Sequence, residues 1–116
     1  MIRKISLVLA LSVASAAGQN GNAANGKELF LKYTCYGCHG FSGQNGPGNR
    51  LVPMKMAQAV FTAYVRNPSQ PNRMPSYSAK VISDAQLADI WTYIKTLPES
   101  PAAKDIPLLN QILNER

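Results

Sequence analysis

The sequence predicts an all-α domain, and three of its features carry that expectation. Apolar residues recur at intervals of three and four over residues 54–66 and again over 83–97, the period of a helix with one buried stripe. Nowhere do apolar and polar residues alternate over a β-rich run, as they would in a half-buried strand. At 116 residues the chain suits one small domain, and a protein core of that size is thin without a staple.

The chain begins with a pattern that belongs to export rather than to the fold. Arg3 and Lys4 precede an almost unbroken apolar run from Ile5 to Val13, and Ala14-Ser15-Ala16 and Ser15-Ala16-Ala17 offer small residues to a signal peptidase. A signal peptide is therefore expected over residues 1–17, with a periplasmic mature protein of about 95 to 100 residues. The apolar run is far short of the ~20 residues a spanning helix needs, so no stable membrane anchor is expected. No cysteine follows the cleavage region to carry a lipid. Beyond it, residues 18–24 read as a polar linker, 25–98 as the folded domain and 99–116 as a C-terminal extension.

Charge narrows the partners. The formal net charge is +6, and removing Arg3 and Lys4 leaves +4. The lysines and arginines are scattered with no basic run, which argues against nucleic acid. A mild positive balance suits an acidic partner protein.

Within the domain the elements follow in order. Asn25 is a good N-cap, with Glu28 three residues on, and Leu29, Phe30 and Tyr33 give the first helix an inward face. Gly40 to Asn49 contains four glycines and a proline and reads as loop. A second helix is expected over 54–66, with Met56, Ala59, Val60, Ala63 and Tyr64 on one face and Asn67-Pro68 ending it. Arg66 at its end is either a solvated terminus or a contact to an anionic group. Ser83-Asp84-Ala85-Gln86 is a capping box that opens the last main helix, where Leu87, Ile90, Trp91, Ile94 and Leu97 form the stripe and Pro98 stops it. Trp91 reads as core. In the extension, Leu108, Leu109, Ile112 and Leu113 form a short amphipathic helix, expected to pack back on the domain, with docking to a partner as the alternative.

The chemistry-bearing motif is Cys35-Tyr36-Gly37-Cys38-His39, the attachment signature of a c-type haem. Two intervening residues let one helical turn present both thiols to one edge of the macrocycle, where each adds to a vinyl group. The next residue then offers its imidazole to the iron. Gly37 eases the approach of backbone to porphyrin. A thioredoxin-type site needs a strand–helix unit that is not read here, and a structural zinc site needs four ligands where this chain has two cysteines and one histidine. One covalent haem c is therefore expected, on Cys35 and Cys38, with His39 as an iron ligand.

His39 is the sole histidine, so a second imidazole from this chain is excluded and methionine sulfur is the remaining soft ligand. Met74 is the expected one, in a loop stiffened by Pro68, Pro71 and Pro75. Met54 and Met56 are the alternatives, with core packing as their plainer role. Methionine opposite histidine raises the reduction potential and fills the coordination sphere, which suits relay of electrons and no catalysis by the haem alone.

These residues resemble the small class I cytochromes c of bacteria over nearly all of the mature chain. Gly26 and Phe30 stand ahead of the haem motif where that family packs its first helix on its last. Gly46-Pro47-Gly48 resembles the turn whose proline carbonyl accepts the Nδ1–H of the ligand histidine, which assigns Pro47 to the haem surroundings. Tyr64 to Pro68, then Met74 to Tyr77, look like the approach to the sulfur ligand, and Ile90, Trp91 and Tyr93 match the aromatic-rich last helix. The resemblance implies three to five helices wrapped around one covalent haem with a partly exposed edge. It implies single-electron transfer, as a periplasmic carrier between an exported dehydrogenase and a downstream terminal acceptor. The alternatives are an electron-acceptor subunit of an exported dehydrogenase complex and, as a third class, a haem-based ligand sensor.

Overall fold

A computed structural model describes residues 21–115. The expected signal peptide and the start of the expected linker lie outside the described residues. Among the described residues there are five α-helices, α1 (Ala23–Lys32), α2 (Cys35–His39), α3 (Gln58–Arg66), α4 (Asp84–Thr96) and α5 (Pro107–Asn114), with a 3-10 turn at Ala103–Asp105. No strand occurs among the described residues. The all-α expectation holds.

The central contact is α1 on α4. It forms because α1 presents Gly26, Leu29 and Phe30 on one face, and α4 presents Leu87, Ala88, Ile90 and Ile94. Phe30 is fully buried and meets Tyr93 edge to face, with ring centroids 5.5 Å apart. Gly26 lies against the Asp89 carbonyl, so close that a Cβ there has no room. The glycine is what lets the two helix backbones approach. Phe61 and Val65 of α3, with Val52 and Ile82 from the connecting loops, complete the core.

Helix ends show where local signals prevailed and where tertiary contacts did. Ser83 caps α4 as expected: its Oγ accepts the Gln86 N–H at 3.1 Å, and Gln86 Oε1 accepts the Ser83 N–H at 2.9 Å. The start of α1 differs from the expectation. Asn22, not Asn25, is the N-cap, its side chain accepting the Asn25 N–H at 3.0 Å, so residues 23 and 24 of the expected linker are helical. The reason is Asp89. Its carboxylate accepts the Asn22 N–H at 2.7 Å and the Asn25 side-chain N–H at 2.6 Å, which commits Asn25 to bridging α1 and α4.

Helix α3 also starts later than expected, at Gln58 rather than Met54. The Met56 carbonyl accepts the Trp91 indole N–H at 3.0 Å and is thereby taken out of any helical ladder. The buried face is rotated too. Phe61 and Val65 point inward, whereas Val60 and Met56, expected inside, are 55% and 41% exposed. Phe61 and Val65, four residues apart, share one face of α3, and burying the aromatic ring with the valine removes apolar surface from water.

The extension does not pack back. Among the described elements α5 neighbours only the 3-10 turn, and Leu108, Leu109, Ile112 and Leu113 are exposed. Its root, by contrast, is fastened to the domain. Gln44 donates from Nε2 to the Pro98 carbonyl at 2.9 Å, and its Oε1 accepts the Ser100 N–H at 2.9 Å. No described helix is long and apolar enough to cross a membrane.

Candidate functional site

Helix α2 is one turn long and carries the whole Cys35–His39 motif. At this spacing, three residues apart on a helix, Cys35 and Cys38 share a face. The turn is entered through Thr34, whose backbone is left-handed (φ 59°, ψ 26°), a conformation that costs a non-glycine residue roughly 1–2 kcal/mol. Surrounding bonds hold it there: the Gly37 N–H donates to the Thr34 carbonyl at 2.9 Å, and the Tyr33 carbonyl accepts the Thr34 hydroxyl at 2.7 Å. Past the motif, Gly40 turns the chain at φ 77°.

Both cysteines are free thiols. Cys38 is exposed, while Cys35 is half-buried and packs against the core. Burial pushes the Cys35 thiol up to about 11, partly offset by a backbone hydrogen bond. It therefore stays protonated at neutral pH, the opposite of the lowered thiol that drives disulfide exchange.

The glycine loop lies directly on α2. The Gly48 N–H donates to the Cys38 carbonyl at 2.6 Å, and a Cβ at Gly46 would collide with that same carbonyl. This packing delivers the loop backbone to His39, whose Nδ1–H donates to the Asn49 carbonyl at 2.6 Å. The resemblance points to the Pro47 carbonyl as acceptor; the contact falls two residues later, at Asn49, in a loop whose Gly46 and Gly48 lie against the Cys38 carbonyl and whose Gly48 also borders the imidazole. A carbonyl can only accept, so Nδ1 carries a proton, and in the neutral imidazole the lone pair on Nε2 is then the one that can bind a metal.

Arg50 and Gln44 hold this loop, and sequence reasoning did not find them. Arg50 donates from Nε to the Val52 carbonyl at 2.7 Å and from Nη2 to Gln44 Oε1 at 2.8 Å. Glu99 lies 3.7 Å from the same guanidinium. A lone arginine and a lone glutamine carry no motif, so nothing in one sequence marked them.

Met74 lies in the segment between α3 and α4, on a turn where the N–H groups of Arg73 and Met74 both donate to the Gln70 carbonyl at 3.0 Å. It is half-buried and borders the same core cluster as Cys35. Met54 also borders that cluster, while Met56 is exposed. Tyr77 fixes the far end of the segment, its N–H donating to the Val65 carbonyl at 3.2 Å. Arg66, left open between a solvated end and an anion contact, is committed to protein acceptors. It donates to the Tyr77 and Ile82 carbonyls at 3.1 and 2.7 Å and pairs with Asp84 at 2.6 Å. Among the described residues no three His, Cys, Asp or Glu side chains converge as a metal-binding group.

A family model for cytochrome c oxidase, cbb3-type, subunit III matches residues 21–94, the span from the cap of α1 through most of α4. The chain belongs to this family. Its α1, α2, α3 and the Met74 segment all lie inside the matched span, and α5 lies outside it. The chain is also similar to a "cytochrome bc1 complex cytochrome c subunit" of Corynebacterium diphtheriae, 29% identical over 83 residues, which are 70% of this chain and 29% of that one. The chain thus spans under a third of that relative's length. No solved structure matches. The molecule is a small all-α domain of the c-type cytochrome kind.

Proposed function

We propose that the chain transfers single electrons through one covalent haem c held by Cys35 and Cys38, with His39 and Met74 as the iron ligands. The observation that carries the reading is the state of His39. Its Nδ1–H is engaged by the Asn49 carbonyl immediately beside two free thiols on one helical turn, and this leaves Nε2 for a metal. The donor set fits the group: two free thiols for the vinyl carbons, an imidazole with its Nδ1–H engaged, and a half-buried thioether on the same core. When bound, such a haem supplies one-electron redox chemistry, its potential raised by a sulfur ligand opposite histidine. The chain's residues attach it, fix its ligand geometry and limit its contact with water.

The working form is read as a periplasmic carrier, released from residues 1–17, that passes electrons from an exported dehydrogenase to a downstream acceptor. A second reading is favoured by the comparisons: the family description names a subunit of an oxidase and the relative is a subunit of a bc1 complex, so the domain works within or beside a respiratory assembly.

Intact-mass measurement of the exported protein tests the attachment. The mass of one haem is expected on the wild type and none on Cys35→Ala/Cys38→Ala. An unmodified wild type overturns the proposal. Absorption spectra of the oxidised protein test the ligand: a near-infrared sulfur-to-iron band is expected in the wild type and in Met54→Ala, and is lost in Met74→Ala. Size exclusion of native extract separates the readings, a free red protein supporting the carrier and a large red complex the assembly.

A further inference from the structure

Two tyrosines join the segment that carries Met74 to the segment that carries the cysteines, and no part of the ligand assignment uses them. The Tyr77 hydroxyl donates to the Tyr33 carbonyl at 3.3 Å, two residues before Cys35. The Tyr33 hydroxyl reaches back and donates to the Val81 carbonyl at 3.0 Å. Between these bonds the two rings meet edge to face, 6.3 Å apart at 76°. The end of α1 and the 77–81 segment are thus tied twice, in opposite directions.

The Tyr77 backbone is held independently of its side chain. Its N–H donates to Val65 and its carbonyl accepts from Arg66, so the main chain at 77 is fixed to the end of α3. The phenol therefore adds a specific connection. It runs from a fixed point three residues after Met74 to the peptide that precedes the left-handed Thr34 and the start of α2. Movement of the Met74 segment away from α2 that carries residue 77 with it breaks that bond.

We propose that Tyr77 is a positioning residue for the sulfur ligand: its hydroxyl, through the Tyr33 carbonyl, holds the Met74 segment at a fixed distance from the turn that carries Cys35 and His39. This rests on the Met74 ligation proposed above. An external ligand reaches the iron only when the methionine segment opens, so its apparent affinity scales with the open fraction. Removing one hydrogen bond from the closed state raises that fraction.

The test is imidazole binding to the oxidised, haem-loaded full chain, with the sulfur-to-iron band as the reporter of methionine displacement. Tyr77→Phe keeps the ring and its contact with Tyr33 and removes only the hydroxyl. It is expected to keep the band and to bind imidazole about three- to ten-fold more tightly than the wild type, the range one hydrogen bond supports. Asn22→Ala, which removes the cap at the other end of α1, serves as the comparison for general loosening. It is expected to leave imidazole affinity unchanged. If the wild type lacks the sulfur band, the ligation reading fails and takes this inference with it. If the band is present and Tyr77→Phe binds imidazole no more tightly, or Asn22→Ala has the same effect, the positioning role alone is overturned.

Discussion

The Nδ1–H of His39 meets the carbonyl of Asn49 at 2.6 Å, in a loop that two glycines, Gly46 and Gly48, seat against α2. Gly46 and Gly48 press against the Cys38 carbonyl, and this close approach brings the Asn49 carbonyl to the Nδ1 edge of the ring. Gly46→Ala is expected to lower stability by about 2–3 kcal/mol, since its new methyl meets backbone that cannot move without breaking α2. Gly37→Ala, whose methyl meets no protein atom within 4 Å, is expected to cost less. Chemical denaturation of the two haem-loaded variants decides; equal losses would mean that the loop does not bear on α2 as described.

Phe30 anchors α1 to α4. It is wholly buried against Tyr93, and truncation leaves a cavity between helices that cannot close past Gly26. Phe30→Ala is expected to cost about 3–5 kcal/mol, a large part of the stability of so small a domain. Thermal melting monitored by circular dichroism reads this, and a loss below about 1 kcal/mol contradicts the packing.

Arg66 acts through the acceptors it satisfies more than through its charge. Its side chain is 21% exposed while that of Asp84 is 77% exposed, so the ion pair itself contributes little. Arg66→Gln leaves the Tyr77 and Ile82 carbonyls without their donor and is expected to cost about 1–3 kcal/mol. Asp84→Asn is expected to cost under about 1 kcal/mol. Denaturant midpoints measured at low and high salt check both values, the first being insensitive to salt.

The extension divides at residue 102. Truncation after Ala102 removes the 3-10 turn and α5, which touch no other helix, and should leave the melting of the domain within about 0.5 kcal/mol of the full chain. Truncation after Leu97 also removes the Pro98, Glu99 and Ser100 contacts to Gln44 and Arg50, and should cost about 1–2 kcal/mol. A large loss from the shorter deletion would show that α5 packs on the domain after all.

The Tyr77 hydroxyl also predicts a pH dependence. Burial raises its titration above the ordinary value of 10.0, and the Cys35 and Cys38 thiolates, when charged, raise it further. With both sulfurs in thioethers only the burial contribution remains. A raised value in the folded state means that the folded protein keeps the proton when the unfolded chain releases it. The resulting stability is complete below pH 10.0 and is lost as pH rises beyond it. The stability difference between wild type and Tyr77→Phe should therefore shrink on going from neutral to strongly alkaline solution, as denaturation across that range will read. A difference that grows instead contradicts the donor role of the hydroxyl.

Several features were legible in the order of residues because the physics behind them is local. Ser83 to Gln86 cap a helix through bonds spanning three residues, and the capping box forms as read. The spacing within Cys35–His39 places two thiols and an imidazole on one turn whatever surrounds them. Leu87, Ile90 and Ile94 recur at the helical period and are buried. The tertiary structure alone decided the rest, because each case is a competition between a local preference and a partner distant in the chain. Asn25 is a fair cap, but Asp89 claims its side chain and the helix starts at Asn22's cap instead. Helix α3 could begin at Met54, but Trp91 takes the Met56 carbonyl and the helix starts at Gln58. Pro47 and Asn49 both offer a carbonyl to His39, and which one arrives depends on how closely two glycines pack on Cys38. A single sequence records the donors and acceptors; only the folded chain fixes which of them meet.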